Sequence, residues 1–304
     1  MGSVAYDNIF TVDQIPILGE RVYGERLGKF VGGMAANQVI EAARYIENIN
    51  ILGRVGVDAE GSQIIKSFQK KGINTRYLQK DRIHSTGQTY MYLLNDDYYS
   101  VVTPGANLHV KPDEVEKSIR KMKSGFVLVS LEINLEAVRS ALIVSRTNDL
   151  ESVLIPSPVE NCKQDIIDLS DSIILNTREF DTIFDLKVTN LSDAEKQLSK
   201  LKGMKKRILV TLGKYGAALL DNNKIFLSEA MKVKSIDSVG AGDALAGAFI
   251  GCLVRGVPSA KALSIGCIAG ALVTSKAGPQ SSQHTFSDVQ EIYQEYYEKI
   301  GVLK

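Results

Sequence analysis

From residue 111 onward, short apolar runs alternate with amphipathic stretches. The runs are Phe126-Val127-Leu128-Val129-Ser130-Leu131-Glu132, Ser152 to Ile155, Ser172 to Leu175 and Arg207 to Leu212. Helical patterns over 112–122, 134–146 and 192–202 lead into the first, second and fourth, and a helical turn leads into the third. Runs this short and this uniformly apolar predict strands buried on both faces of a parallel sheet, with the helices covering it. Ala217 to Leu220 and Lys224 to Leu227 flank Asp221-Asn222-Asn223 and predict a hairpin. Helices are then expected after residue 243, over Ser259 to Ser275 and over 286–299.

The first hundred residues read differently. Residues 2–10 predict a short strand with Asp7 near its carboxyl end. Residues 13–31 carry Gly19, Gly24 and Gly28 among alternating positions such as Arg21-Val22-Tyr23 and Lys29-Phe30-Val31, which suits half-buried strands and turns. Gly32-Gly33-Met34-Ala35-Ala36-Asn37 opens a helix to about Ile46, with an apolar face of Ala35, Ala36, Val39, Ile40 and Ala43. A strand is expected over Ile49 to Val57 and a helix over Gly61 to Lys71. Two alternating runs between Thr86 and Thr103, around Asp96-Asp97, predict another hairpin. The expected architecture is a single α/β domain over 1–304: a doubly wound, mostly parallel sheet with helices on both faces. A small β-sheet lid is formed by 13–31 and 86–104.

Composition narrows the function. The chain has 304 residues, 44% hydrophobic and 23% charged, with a net charge of +1, so it has no electrostatic case for nucleic acid or an acidic membrane surface. No stretch is long and apolar enough to span a bilayer, and the start lacks the basic and apolar regions of a signal peptide. Cys162, Cys252 and Cys267 have no paired spacing and read as reduced thiols in a cytoplasmic protein. His84, His109 and His284 are too dispersed for a histidine metal cluster.

The candidate chemistry centres on Asp237-Ser238-Val239-Gly240-Ala241-Gly242-Asp243, which runs into the small apolar helix pattern Ala244 to Ile250. Glycines let the backbone approach a ligand, and the unpaired N–H groups of a first helical turn suit a phosphate. An acid beside that anion hole is what phosphoryl transfer to a hydroxyl needs: the acid takes the proton while the amides hold developing charge. Other polar residues fall at expected carboxyl ends of strands, where doubly wound sheets gather ligands: Asp7, Glu132, Asn176 with Glu179 one turn on, and Thr211 with Gly213 and Gly216.

The two glycine motifs, 32–37 and 237–243, and the order of elements between them resemble the ribokinase-like carbohydrate kinases, the PfkB family, over nearly the whole chain. Thr103-Pro104-Gly105-Ala106-Asn107 and Thr211-Leu212-Gly213 also resemble the pattern of its ribokinase branch. The resemblance implies an ATP-dependent sugar kinase requiring Mg²⁺. Asp243 would be the base, and Gly240, Ala241 and Gly242 the anion hole. Asp7, Gly32, Gly33, Asn37 and Glu132 would hold the sugar. Asn176, Thr211, Gly213, Gly216, Gly242 and Cys267 would border the nucleotide, with Glu179 on Mg²⁺ through water. Asp237, Val239, Val273, Lys276, Gly278 and Ser282 would hold K⁺.

There are departures. Ala5 stands where ribokinases have a sugar-contacting Asn, Met34-Ala35 where they have Lys-Gly, and Ile155-Pro156-Ser157-Pro158 where they have an Asn-Pro-x-Pro turn. Each lost contact in a buried site costs about 1–3 kcal/mol. The expectation is phosphorylation of a primary hydroxyl of a small sugar other than ribose. The alternatives are a nucleoside kinase of the same fold and a catalytically inactive sugar-binding regulatory protein. The lid edges suggest a homodimer paired lid to lid.

Overall fold

A computed structural model describes the backbone of residues 1–94, 97–234, 238–275, 282 and 284–298. The first half runs β1 (Ala5–Val12), β2 (Gly24–Gly32), α1 (Met34–Ala42), β3 (Gly53–Gly56), α2 (Ala59–Lys70), β4 (Leu78–Asp81), β5 (Gly87–Leu94), β6 (Asp97–Thr103), α3 (Pro112–Ile119), β7 (Phe126–Ser130), α4 (Leu135–Thr147) and β8 (Glu151–Ile155). The second continues with α5 (Gln164–Leu169), β9 (Ser172–Asn176), α6 (Thr177–Phe184), α7 (Leu191–Lys200), β10 (Arg207–Thr211), β11 (Ala217–Asp221), β12 (Lys224–Ser228), α8 (Ala241–Val254), α9 (Ser259–Thr274) and α10 (Phe286–Tyr293).

The main sheet has six strands in the order β12-β11-β10-β9-β8-β7, parallel from β7 to β10 and antiparallel through the β11–β12 hairpin. Successive residues point into different cores. Ile173 and Leu175 of β9, with Ile208 and Val210 of β10, pack into one with Ala137, Val138 and Leu142 of α4. Ile174 and Leu209 pack into the other with Leu245 and Phe249 of α8 and Leu263 of α9. Each such side chain contributes on the order of 1.5–3 kcal/mol by leaving water. This is the doubly wound, two-faced sheet expected.

A second sheet, β2-β1-β5-β6, is mixed: β1 pairs antiparallel with β2 and parallel with β5, and β5 pairs antiparallel with β6. It holds parts of both expected lid segments, but β1 is one of its two inner strands. The chain before β1 lies against the main domain, where the Met1 ammonium donates to the Leu128 carbonyl and Ser130 N–H donates to the Met1 carbonyl. One extended segment thus starts beside β7 and ends in the second sheet. Asp7 is therefore in mid-strand, not at a strand end.

Other boundaries differ. Residues 13–23 form turns and irregular chain, so Arg21-Val22-Tyr23 is not a strand. The strand expected over 49–57 shrinks to β3, preceded by an isolated bridge from Asn50 to Asn74. The final helix stops at Tyr293 and widens into a π-turn over Gln294–Glu298. Among the described residues, no helix is long and apolar enough to cross a membrane.

Candidate active site

Helix α8 begins at Gly240, whose φ of 79° is left-handed, a conformation glycine adopts without strain. The helix interior is apolar, with every residue from Ala244 to Cys252 buried. It is clamped on two sides by glycines. A Cβ on Gly270 of α9 would stand 3.0 Å from the Ala241 carbonyl oxygen, and one on Gly247 would stand 2.5 Å from that of Gln38 in α1. The first turn is thereby held rigid at the carboxyl edge of the main sheet.

The Ala241 N–H turns back to the Ser238 carbonyl at 3.3 Å, and the Ala244 N–H starts the helical ladder on Gly240. The amides of Gly242 and Asp243, in that first turn, have no intrahelical acceptor. Among the described residues outside its own helix backbone, a Cβ on Gly242 would meet nothing within 4 Å, so the backbone there borders open space.

That space is a cleft of about 340 Å³ lined by Met34, Asn176, Glu179, Thr211, Gly240 and Asp243. It adjoins a larger one of about 700 Å³ whose walls include Gly213, Gly216, Leu245, Cys267 and Thr274. Asn176, Thr211, Ser238 and Gly242 line both. The helix start therefore stands at the junction of a small polar cleft and a larger, more apolar one.

Asp243 is the third residue of α8 and partly open to the cleft. The amides of Asn37 and Gln38, both from α1, donate to its two oxygens, Asn37 Nδ2 to Oδ2 at 3.1 Å and Gln38 Nε2 to Oδ1 at 2.8 Å. Burial pushes its carboxyl up to about 7. The two amides oppose that shift, while the carboxylates of Glu132 and Asp7 add to it.

Three acids from β1, the segment after β7 and α8 thus face one another. Asp7 is buried, and burial pushes it up to about 6 against a hydrogen bond from Thr89. Glu132 is raised by burial and accepts from Ser3 Oγ and the Met34 backbone. The Gly32-Gly33 pair has two separate reasons. A Cβ on Gly32 would lie 2.0 Å from Asp7 Oδ2. Gly33 has a φ of 88°, and its Cβ would fall 2.6 Å from the Ser3 carbonyl oxygen.

Asn176 ends β9 and caps α6: its side chain accepts from the Glu179 N–H at 2.9 Å, and Glu179 Oε2 accepts from the Asn176 N–H at 2.8 Å. Burial raises the Glu179 carboxyl despite this bond and one from Ser157. A buried carboxyl at the wall of the small cleft fits a hydrated hard cation. Cys267 lies in the larger cleft, its thiol pushed by burial to about 12.

Of the residues assigned to a potassium ion, Asp237, Lys276 and Gly278 lie outside the described residues. Val239 lines the small cleft and Val273 is buried in α9. Ser282 is buried, its Oγ 2.8 Å from His284 Nδ1 and its carbonyl accepting from Arg44 at 2.5 Å.

Sequence reasoning missed Ser3, Gln38, Thr89 and Ser157. Ser3 sits one residue after a glycine whose Cβ would strike Ser130, and Ser157 sits in the turn that departs from the ribokinase pattern. For Gln38 the signal was its place directly after Asn37. Thr89 carried no signal, because only strand pairing sets it opposite Asp7.

Residues 1–285 match the model of the pfkB family carbohydrate kinases. The chain belongs to that family. It is a carbohydrate kinase, a phosphotransferase with an alcohol as acceptor. It is 29% identical over 297 residues to the ribokinase of Staphylococcus aureus (strain COL), covering 96% of this chain and 98% of that protein. It is 26% identical over 302 residues to the deoxyribokinase of Salmonella typhi, covering 96% of each. Its fold matches that of the Arabidopsis thaliana ribokinase complexed with ribose and ATP, with a TM-score of 0.85 at 21% identity over 96% of both chains.

Proposed function

We propose that this kinase transfers the terminal phosphoryl group of ATP to a primary hydroxyl of a small sugar, with Asp243 as general base. One observation carries the reading: a carboxyl raised to about 7 sits in the first turn of α8, where the small cleft meets the large one. The sugar would lie among Asp7, Gly33, Asn37 and Glu132, its hydroxyl against Asp243. The proton passes to an Asp243 oxygen as the hydroxyl oxygen bonds to phosphorus. The bond from that phosphorus to the bridging oxygen breaks, and ADP departs. The unpaired amide of Gly242 holds the transferred group in the turn that Gly240 and Ala241 shape, and Thr211, Gly213, Gly216 and Cys267 border the nucleotide. Glu179 and Asn176 would hold Mg²⁺ through water, supplying positive charge to the phosphates.

Ala5 and Met34 favour an acceptor other than ribose. Ala5 lies on the face of β1 that carries Asp7, two residues away, and brings no polar atom. A deoxy sugar suits such a site, and so does a nucleoside, the second reading. A coupled ADP-release screen over pentoses, hexoses, deoxy sugars and nucleosides, with and without K⁺, tests both. Preference for adenosine or inosine over every free sugar would replace the first reading with the second. Equal rates with and without K⁺ would remove the potassium assignment.

The second sheet is read as a lid on the kinase domain, closing to keep water from competing for the phosphoryl group. Its Leu27, Tyr99, Val101 and Val102 are exposed, which supports pairing with the lid of a second copy. A monomer in light scattering at micromolar concentration would count against that dimer. The free, separated cysteines support a cytoplasmic setting.

A further inference from the structure

Helix α1 and the turn after it pack on α8 at two glycines. A Cβ on Gly247 would lie 2.5 Å from the Gln38 carbonyl oxygen, and one on Gly251 would lie 2.7 Å from the Tyr45 Cβ. Without side chains there, the two backbones approach closely enough for Gln38 to reach Asp243, one turn before Gly247. Gln38 is 3% exposed. Its Nε2 donates to Asp243 Oδ1 at 2.8 Å, while its Oε1 is buried and has no hydrogen-bond partner among the described residues. Turned over, the amide would set its carbonyl oxygen against the Asp243 carboxylate, so the donor end must face Asp243. Gln38 leaves its carbonyl oxygen unpartnered and gives its N–H to a carboxylate, the stronger, charge-assisted bond.

We propose that Gln38 is a positioning residue for phosphoryl transfer: its amide fixes the plane of the Asp243 carboxylate and holds it in the charged form. The proposal rests on the reading of Asp243 as the base. Asn37 grips the other oxygen, so together the amides form a fork that fixes the carboxylate plane. Among the described residues, the charged groups acting on Asp243 are the carboxyls of Glu132 and Asp7, which disfavour its ionisation. The remaining charged groups of the α1 segment, Glu41 and Arg44, are engaged elsewhere: Glu41 with His284 Nε2 at 2.7 Å and with Arg44, and Arg44 with the carbonyls of Ser282 and His284. Within α1, Gln38 and Asn37 alone favour the ionised base.

The test titrates the Asp243 carboxyl by ¹³C NMR in the full chain, with Asp243→Asn identifying its resonance, and follows kcat and KM against pH with ribose and 2-deoxyribose as acceptors. In Gln38→Met the Asp243 midpoint should rise by roughly one pH unit. The acid limb of kcat/KM should move with it, kcat near neutrality should fall about tenfold, and the KM for ATP should hold. In Gln38→Glu, a second carboxyl against the base should raise the midpoint further. A folded Gln38→Met with an unmoved midpoint overturns the proposal. If that variant does not fold, an unmoved midpoint in the near-isosteric Gln38→Glu does the same. An active Asp243→Asn enzyme defeats the base assignment itself. An inactive one beside an unmoved midpoint defeats only the role of Gln38.

Discussion

Gly32 has no side chain because Asp7 occupies the place where one would be: a Cβ there would lie 2.0 Å from Asp7 Oδ2. The two residues are diagonal neighbours on one face of adjacent antiparallel strands, Gly32 opposite Ala5 and Asp7 opposite Phe30. Gly32→Ala must therefore displace the Asp7 carboxylate or part β2 from β1. The expected outcome is a rise of about tenfold or more in the KM for the sugar, with the KM for ATP unchanged, measured by steady-state kinetics.

Gly242 is the opposite case. Among the described residues outside its own helix backbone, nothing lies within 4 Å of its missing Cβ, and its φ is not in the left-handed region. Gly242→Ala should keep or slightly raise the melting temperature, since alanine favours the helix by about 1 kcal/mol over glycine. The methyl would project into the space proposed for the phosphoryl group. A fall in kcat of about a hundredfold without loss of stability is expected. A normal kcat would remove the anion-hole assignment.

The pH dependence follows from Asp243. Its carboxyl is pushed up from 3.8 to about 7, so the base is protonated and kcat/KM declines as pH falls through 7. Protonation of Asp7 near 6 steepens the fall. Stability runs the other way. Between 3.8 and about 7 the folded state binds a proton that the unfolded chain has released, so this group's contribution to stability declines as pH rises across that window. Asp243→Asn should therefore abolish turnover, retain ATP binding by calorimetry, and melt a few degrees above the wild type at pH 8. A variant less stable than the wild type at pH 8 would contradict the raised carboxyl.

Glu179 both caps α6 and faces the small cleft, and one substitution separates the two roles. In Glu179→Gln the new side-chain carbonyl oxygen can still accept the Asn176 N–H, so the melting temperature should hold. The Mg²⁺ concentration giving half-maximal rate should rise by about tenfold or more. Glu179→Ala should also lose about 1 kcal/mol of stability with the cap. An unchanged Mg²⁺ requirement in Glu179→Gln would reduce the residue to its cap.

Much of this protein was legible in the residues themselves. Periodicity showed the strands of the main sheet, because a strand covered on both faces must be apolar at nearly every position. The glycines at 32 and 33 marked close backbone approach, because a Cβ at either would strike Asp7 or the Ser3 carbonyl, and Gly240 marked a left-handed helix start. The run from Gly240 to Asp243 announced an acid in a helix's first turn, since that placement is local in sequence. Other features depended on distance along the chain. That β1 passes through Asp7 into a second sheet follows from its pairing with β2 and β5, which lie far apart in the sequence. That Asp7, Glu132 and Asp243 press on one another, and that Gln38 takes hold of the base from more than two hundred residues away, was decided by the packing of α1 on α8. A carboxyl's charge depends on what stands within a few ångströms of it, and only the folded chain sets those neighbours.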